Sequence, residues 1–237
     1  MKEIVINDDV IKYFFMLWKR NENKQFAKDR VAKCVTSEKR PLLTTQLFWS
    51  ELVKTINTTQ TKSVGKNNPM DRWIKNDNYK VKDWNWVSDK TDEKLIKQAV
   101  EEFENSKIRY ASVKSKYVPK NRNFILKNEI KLLKEIERIE IGNKYSEREG
   151  VDFLKENLVG LGLKQSRNLL QDLGRSQYQV PIDSRVIKQL EKSGIEIGKI
   201  NLSSEAHYLK LQETIWAISE KIGVLPCVFD AFAFIDD

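Results

Sequence analysis

The run Leu158-Val159-Gly160-Leu161-Gly162-Leu163-Lys164-Gln165-Ser166-Arg167-Asn168-Leu169-Leu170-Gln171-Asp172-Leu173-Gly174 reads as the end of one helix, a tight turn cornered by two glycines, a second helix and a glycine stop. Glycines two apart allow left-handed backbone and a close approach by a ligand, while the new helix aims unpaired amides and its positive dipole end outward. A phosphate is the natural occupant of such a corner. Many helical proteins turn this way, so the pattern gains weight only from a second feature at a fixed distance. That feature is Val180-Pro181-Ile182-Asp183-Ser184-Arg185-Val186-Ile187-Lys188-Gln189-Leu190, a short apolar stretch ending in an aspartate at the head of another helix.

Outward from this run, the chain is that of an ordinary globular protein. Its 237 residues are 40% hydrophobic and 32% charged, with 9 Gly and 5 Pro, which excludes collagen-like, low-complexity and wholly disordered chains. Cys34 and Cys227 are too few for a four-thiolate cluster or an all-cysteine zinc site, and fit a reducing compartment as small buried hydrophobes. The greasiest stretch, Val224 to Ile235, is broken by Pro226 and Asp230 and falls short of the roughly 18 apolar residues a membrane span needs. The N-terminus carries acids where a secretory signal carries bases, so the expected address is the cytoplasm, at the nucleoid. A net charge of +8 concentrates polyanions around the protein and puts nucleic acid first among partners.

Helical periodicity is plain over Thr91 to Asn105 and Phe124 to Ile141, and in Leu211, Ile215, Ile218 and Ile222 ahead of Gly223. Ser146-Glu147-Arg148-Glu149 reads as a capping box opening the helix that stops at Gly160. Pro226 suits the first turn of a last helix. Strand signals are confined to Glu3 to Ile6 and Tyr79 to Val87, neither with a matching partner, so the expected architecture is all-α. Between Asn105 and Asn128 there is no acid, but Lys107, Arg109, Lys114, Lys116, Lys120, Arg122 and Lys127 alternate with Tyr110, Tyr117 and Phe124. Two readings stand for it: a surface where bases neutralise phosphates and rings stack, or a solvated basic loop. Trp73, Trp84 and Trp86 are read as core.

With Gly160, Gly162, Lys164 and Asp183 in that order and spacing, the chain resembles the helix-hairpin-helix DNA glycosylase superfamily over about Phe153 to Leu190. Within it, the chain is most similar to the short, cluster-free 8-oxoguanine DNA glycosylases known chiefly from archaea. Val159 stands where many relatives have proline. The resemblance implies a two-subdomain fold with the active-site cleft between subdomains. A terminal subdomain would comprise residues 1–45 plus 181–237, and a middle one 46–180 ending in the helix-hairpin-helix at about 147–174. It implies excision of an oxidised base, most simply 8-oxoguanine, from duplex DNA, followed by strand nicking at the abasic site. Asp183 and Lys164 take the catalytic places, Gly160, Gly162 and Arg185 the phosphate contacts, and Gln60, in Asn57-Thr58-Thr59-Gln60-Thr61, the filling of the gap left by a flipped base. Phe232 falls on a terminal helix that lines the base pocket in some relatives. No cofactor, catalytic metal or iron-sulfur cluster is implied beyond a monovalent cation at the hairpin, and the protein is expected to act as a monomer.

Chemistry accounts for these residue types. Breaking an N-glycosidic bond builds positive charge on the sugar, which a carboxylate stabilises. A neutral lysine amine then attacks C1′, and the Schiff base acidifies the C2′ hydrogen and permits β-elimination. An unperturbed lysine has a pKa of about 10.4, so the site must favour the free amine. Asp183 is accordingly expected to take the lysine's proton or face the sugar rather than hold a lasting ion pair, and it doubles as a helix N-cap. Two other readings remain open: a glycosylase of the same fold for another base, and a non-catalytic module whose hairpin only grips DNA. His207, the single histidine, is read as a helix-surface residue.

Overall fold

The computed structural model describes residues 4–61 and 68–235, except for the side chains of Phe234 and Ile235. The helices are α1 (Asp8–Asn21), α2 (Gln25–Arg30), α3 (Thr45–Thr58), α4 (Pro69–Lys75), α5 (Trp84–Ser88), α6 (Asp92–Asn105), α7 (Ala111–Lys114), α8 (Tyr117–Glu137), α9 (Lys144–Asn157), α10 (Leu163–Asp172), α11 (Ser184–Lys192), α12 (Glu205–Ile222) and α13 (Phe229–Ile235). A π-helical turn, Val31–Val35, extends α2, and a 3-10 turn, Pro226–Val228, precedes α13. Among the described residues there is no strand, as the sequence predicts.

Of the two strand candidates, Glu3 lies outside the described residues, and residues 4–6 are irregular. Tyr79 to Val87 turns instead of extending. Its amides at Lys80 and Val81 donate to the buried Glu102 carboxylate at 2.5 and 3.2 Å rather than to a neighbouring strand. Asp83 then caps α5 by accepting from Asn85 at 3.1 Å. A buried acid reached from α6 has replaced the sheet partner.

The chain divides into two compact units. Unit 1 takes the chain up to Pro41, Ile139–Val151 and the chain from Gly162 onward. Its core is the apolar stripe of α12 against α1, α11 and α13, with Phe14 and Phe232 each 4.9 Å from the Phe229 ring and all three fully buried. Each such side chain stabilises the fold by about 1.5–3 kcal/mol. Unit 2 takes Leu42–Arg138 and Asp152–Leu161. Trp49, Trp73, Leu95 and Phe103 are at its centre, and the Trp49 indole donates to the Val81 carbonyl at 2.8 Å. The core reading holds for Trp73 and Trp84, while Trp86 is half-buried beneath Lys90.

The capping box is displaced. α9 begins at Lys144, and Asn143 caps it by accepting from the amides of Tyr145 and Ser146 at 3.1 and 3.3 Å. Ser146 instead accepts from the Glu140 amide. Glu147, fully buried, has a larger role in unit 1. It accepts from the amides of Gly142, Gln177, Tyr178 and Gln179 and from the Ser176 hydroxyl, at 2.7–3.2 Å, and so fastens the start of α9 to the loop that leads toward Asp183.

Because removing that carboxylate strands several buried donors at once, Glu147→Ala should lower the unfolding free energy by about 3 kcal/mol or more. Urea titration followed by circular dichroism measures it. A loss under about 1 kcal/mol would show that the loop does not depend on this residue.

Candidate active site

The turn between α9 and α10 is set by two devices within unit 2. Gly160 has φ +91°, and a Cβ there would come within 2.7 Å of the Tyr117 ring, so both conformation and space require glycine. The neighbouring peptide is clamped by one amide side chain: the Val159 N–H donates to Asn121 Oδ1 at 2.8 Å, and Asn121 Nδ2 donates to the Val159 carbonyl at 2.9 Å. Gly162, in unit 1, is different. Its φ of −107° is open to any residue, and an added Cβ would meet only Gln165 Oε1 at 3.7 Å. It is exposed and heads α10 with no side-chain cap, which leaves that helix end accessible to an anion.

Lys164 stands in the first turn of α10, its side chain one-third exposed, and its Nζ donates to Asp183 Oδ2 at 2.9 Å. Asp183 divides its two oxygens. Oδ1 caps α11, accepting from the amides of Arg185 at 2.9 Å and Val186 at 3.3 Å. Oδ2 accepts from Lys164 and from Arg185 Nη2 at 2.7 Å and Nε at 3.3 Å. Burial pushes this carboxyl up, but the Lys164 charge and the Arg185 hydrogen bond outweigh burial and hold it well below the usual carboxylate range.

Two expectations therefore change in form. The carboxylate does hold an ion pair with the lysine, because both its lone-pair directions at Oδ2 are met by cationic donors at hydrogen-bond distance. Arg185, expected on a phosphate, has its guanidinium folded back on Asp183 two residues earlier. The consequence is chemical: when Lys164 releases the carboxylate, Arg185 still satisfies it.

The depth of the site comes from residues the sequence did not single out. Tyr208 donates to the Val180 carbonyl at 3.0 Å and accepts from the Ile182 amide at 2.7 Å, bracing the peptide pair around Pro181 just ahead of Asp183. The fully buried Arg167 stacks over the Tyr208 ring at 4.4 Å, donates to Leu163 O and Gln212 Oε1, and so anchors α10 one turn past Lys164. These partners lie far apart in sequence, which leaves no local signal for them. Asn121 lies within the basic stretch, where an amide among charges carries no signal of its own.

The other named residues are placed as follows. Gln60 is exposed just beyond α3, with φ +53°. Phe232 has no exposed surface, its ring packed on Phe229 and Trp18. The His207 ring accepts from the Asn201 amide at 3.2 Å. Cys34 and Cys227 are free thiols, both completely buried, and the Cys34 thiol donates to Gln171 O. The basic stretch turns over residues 106–110 and then forms α7 and the first half of α8. Two of its cations are buried: Arg122 on the Ser88 and Lys90 carbonyls and Asp92, and Lys114 on backbone oxygens. Lys107, Arg109, Lys116, Lys120 and Lys127 are exposed. Among the described residues no group of His, Cys, Asp and Glu is arranged for a metal, and no helix is long and apolar enough to cross a membrane. The hairpin offers a cation only backbone carbonyls, of which Val159's already accepts from Asn121 and Gly162's from Ser166.

Comparison with known proteins identifies the family and the fold. The family described as 8-oxoguanine DNA glycosylase matches residues 80–224, more than half of the chain. Among solved structures, an 8-oxoguanine DNA glycosylase of Methanocaldococcus jannaschii superposes with a TM-score of 0.67 at 21% identity, over 95% of this chain and 92% of its own. The 8-oxoguanine glycosylase/lyase of the same organism, in complex with a 15mer DNA containing 8-oxoguanine, gives 0.69 at 20% identity, over 96% of each chain. The 8-oxoguanine DNA glycosylase of Thermotoga maritima gives 0.68 at 18%, over 96% of this chain and 95% of its own. At such identities these likenesses establish the all-α helix-hairpin-helix fold. No curated protein matches the chain in sequence.

Two predictions follow the geometry. Gly160→Ala should cost about 1–3 kcal/mol of stability, and Gly162→Ala less than about 1, as read from urea midpoints; equal costs would contradict the assigned backbone. Asp183→Asn keeps a good cap but loses the charge. A carboxyl held low in the folded state contributes stability that is complete above the unfolded value near 3.9 and is lost as pH falls through the folded value. The stability gap between wild type and Asp183→Asn should therefore shrink from pH 5 toward pH 2, and a gap that stays constant would refute the shift.

Proposed function

Because the chain belongs to the 8-oxoguanine DNA glycosylase family, we propose that it excises 8-oxoguanine from duplex DNA and then cleaves the abasic strand through a Schiff base on Lys164. The observation that carries this reading is the accessible Lys164 amine 2.9 Å from a carboxylate kept ionised by its surroundings. Lys164 gives its proton to solvent as the sugar enters, and Asp183 keeps its charge. The N-glycosidic bond breaks, the base leaves with the bonding electrons and gains a proton, and the Asp183 charge faces the positive charge growing on the sugar. The Nζ–C1′ bond forms with loss of a proton from Nζ, the C1′–O4′ bond breaks with O4′ taking a proton as the 4′ hydroxyl and leaving a C1′=Nζ iminium, and the C2′ proton leaves as the 3′ phosphate departs. Arg185 keeps Asp183 ionised and oriented while Lys164 is engaged with the sugar.

The exposed head of α10 at Gly162 and the exposed cations Lys107, Arg109, Lys116, Lys120 and Lys127 suit phosphates, and Gln60 is the side chain assigned to the space a flipped base leaves. Extruding that base costs a few kcal/mol, less where pairing is already weakened. A monovalent cation on hairpin carbonyls would anchor a phosphate there; the chemical steps run on protein side chains alone.

Borohydride reduction during reaction with an 8-oxoguanine duplex tests the reading. Wild type should be trapped on DNA, and Lys164→Gln and Lys164→Arg should lose trapping and nicking by at least about a thousandfold, since neither side chain supplies a nucleophilic amine. Trapping that survives Lys164→Gln places the nucleophile elsewhere, and a non-catalytic binding module would tolerate Lys164→Arg. A panel of oxidised pyrimidines and mispaired adenine run beside 8-oxoguanine identifies the base. DNA affinity should fall by orders of magnitude between about 50 and 200 mM salt, and a flat response would remove the cationic surface from the account.

A further inference from the structure

Lys114 is a buried charge that the chemistry above does not use. It is 4% exposed, and its Nζ donates to the carbonyls of Asn57 at 3.0 Å and Thr59 at 2.7 Å and to the Thr61 hydroxyl at 3.1 Å. All three acceptors are neutral. Burial, helped by the charge of Arg109, pushes the ammonium down to about 8, so the fold carries this cation at some expense to its own stability. The Thr61 hydroxyl also accepts from the Arg109 amide at 3.3 Å, which ties the end of α3 to the segment that leads into α7.

Strain gathers at the same place. Four non-glycine residues among those described have positive φ, and Gln60, Lys107 and Tyr110 are three of them, all on the two segments that Lys114 and Thr61 join. Such conformations persist only where surrounding contacts over-determine them. Asn57 adds a second cost, being fully buried with neither amide atom partnered. An ordinary helix end needs none of this, since water satisfies terminal carbonyls at the surface.

We propose that Lys114 is a positioning residue for Gln60: by gripping the backbone on both sides of it, the ammonium holds the turn after α3 in the shape that presents the Gln60 side chain to DNA. This rests on the reading that Gln60 meets the duplex. Gln60 itself bonds nothing in the cage. It lies between Thr59 and Thr61, which Lys114 grips, and points outward.

A double-mutant cycle on binding to a duplex containing a tetrahydrofuran abasic analogue tests the link, using Gln60→Ala, Lys114→Met and the pair. A 2-aminopurine opposite the analogue reports how the gap is filled. Each single change should weaken binding by about tenfold and shift the 2-aminopurine signal alike, and the double variant should be no weaker than either alone. Multiplying effects, or a folded Lys114→Met that binds and fluoresces as wild type, overturns the positioning role. A silent Gln60→Ala overturns the premise instead, separately from Lys114. Circular dichroism checks folding at each step. If Lys114→Met does not fold, Thr61→Val removes one acceptor and keeps the lysine. It should give a smaller loss that is again non-additive with Gln60→Ala, and additivity there counts against the proposal equally.

Discussion

One carboxylate oxygen shared by two cations is the contact on which the site is built. Asp183 Oδ2 meets both Lys164 and Arg185, while Oδ1 is committed to the first amides of α11. Had Oδ2 only the lysine for a partner, freeing the amine would leave that oxygen of a half-buried charge without a donor, a costly state in low dielectric. Arg185 removes that obstacle, since its guanidinium donates to the same oxygen. The lysine is then held in place by an interaction it can leave.

Keeping that oxygen in position takes more than the pair. Tyr208 fixes the peptides at Val180 and Ile182, Arg167 ties α10 to the Tyr208 ring, and Glu147 holds the loop from Ser176 to Gln179 that feeds into them. All these groups belong to unit 1, so the distance between Lys164 and Asp183 is a property of one compact body. The turn at Gly160 is fixed separately, by Asn121 and the Tyr117 ring in unit 2.

What the sequence revealed follows from how far each signal reaches. Helices of strong periodicity, such as α6 and α12, and the terminator Gly223 with φ +72° were legible because their causes are local. The Gly160, Lys164 and Asp183 spacing was legible because one turn and one helix separate the parts. The resemblance puts Arg185 on a phosphate and is silent about a competing acceptor two residues away. Ser146 matches a cap in spacing, but Asn143 supplies a better-placed acceptor, and Tyr79 to Val87 alternates like a strand without a partner because the acceptor that turns it, Glu102, lies on another helix. Lys114 looked like one more base in a basic run. Only its burial, set by contacts more than fifty residues away in sequence, shows that it faces carbonyls instead of solvent.

The packing of unit 1 also decides how the two thiols meet oxidants. Peroxides react with thiolates they can touch, and Cys34 and Cys227 present no surface at all. Their loss to sulfenic acid is thus governed by how often unit 1 opens, and the same packed interior that secures the carboxylate also shields the protein's sulfur from oxidants in solution.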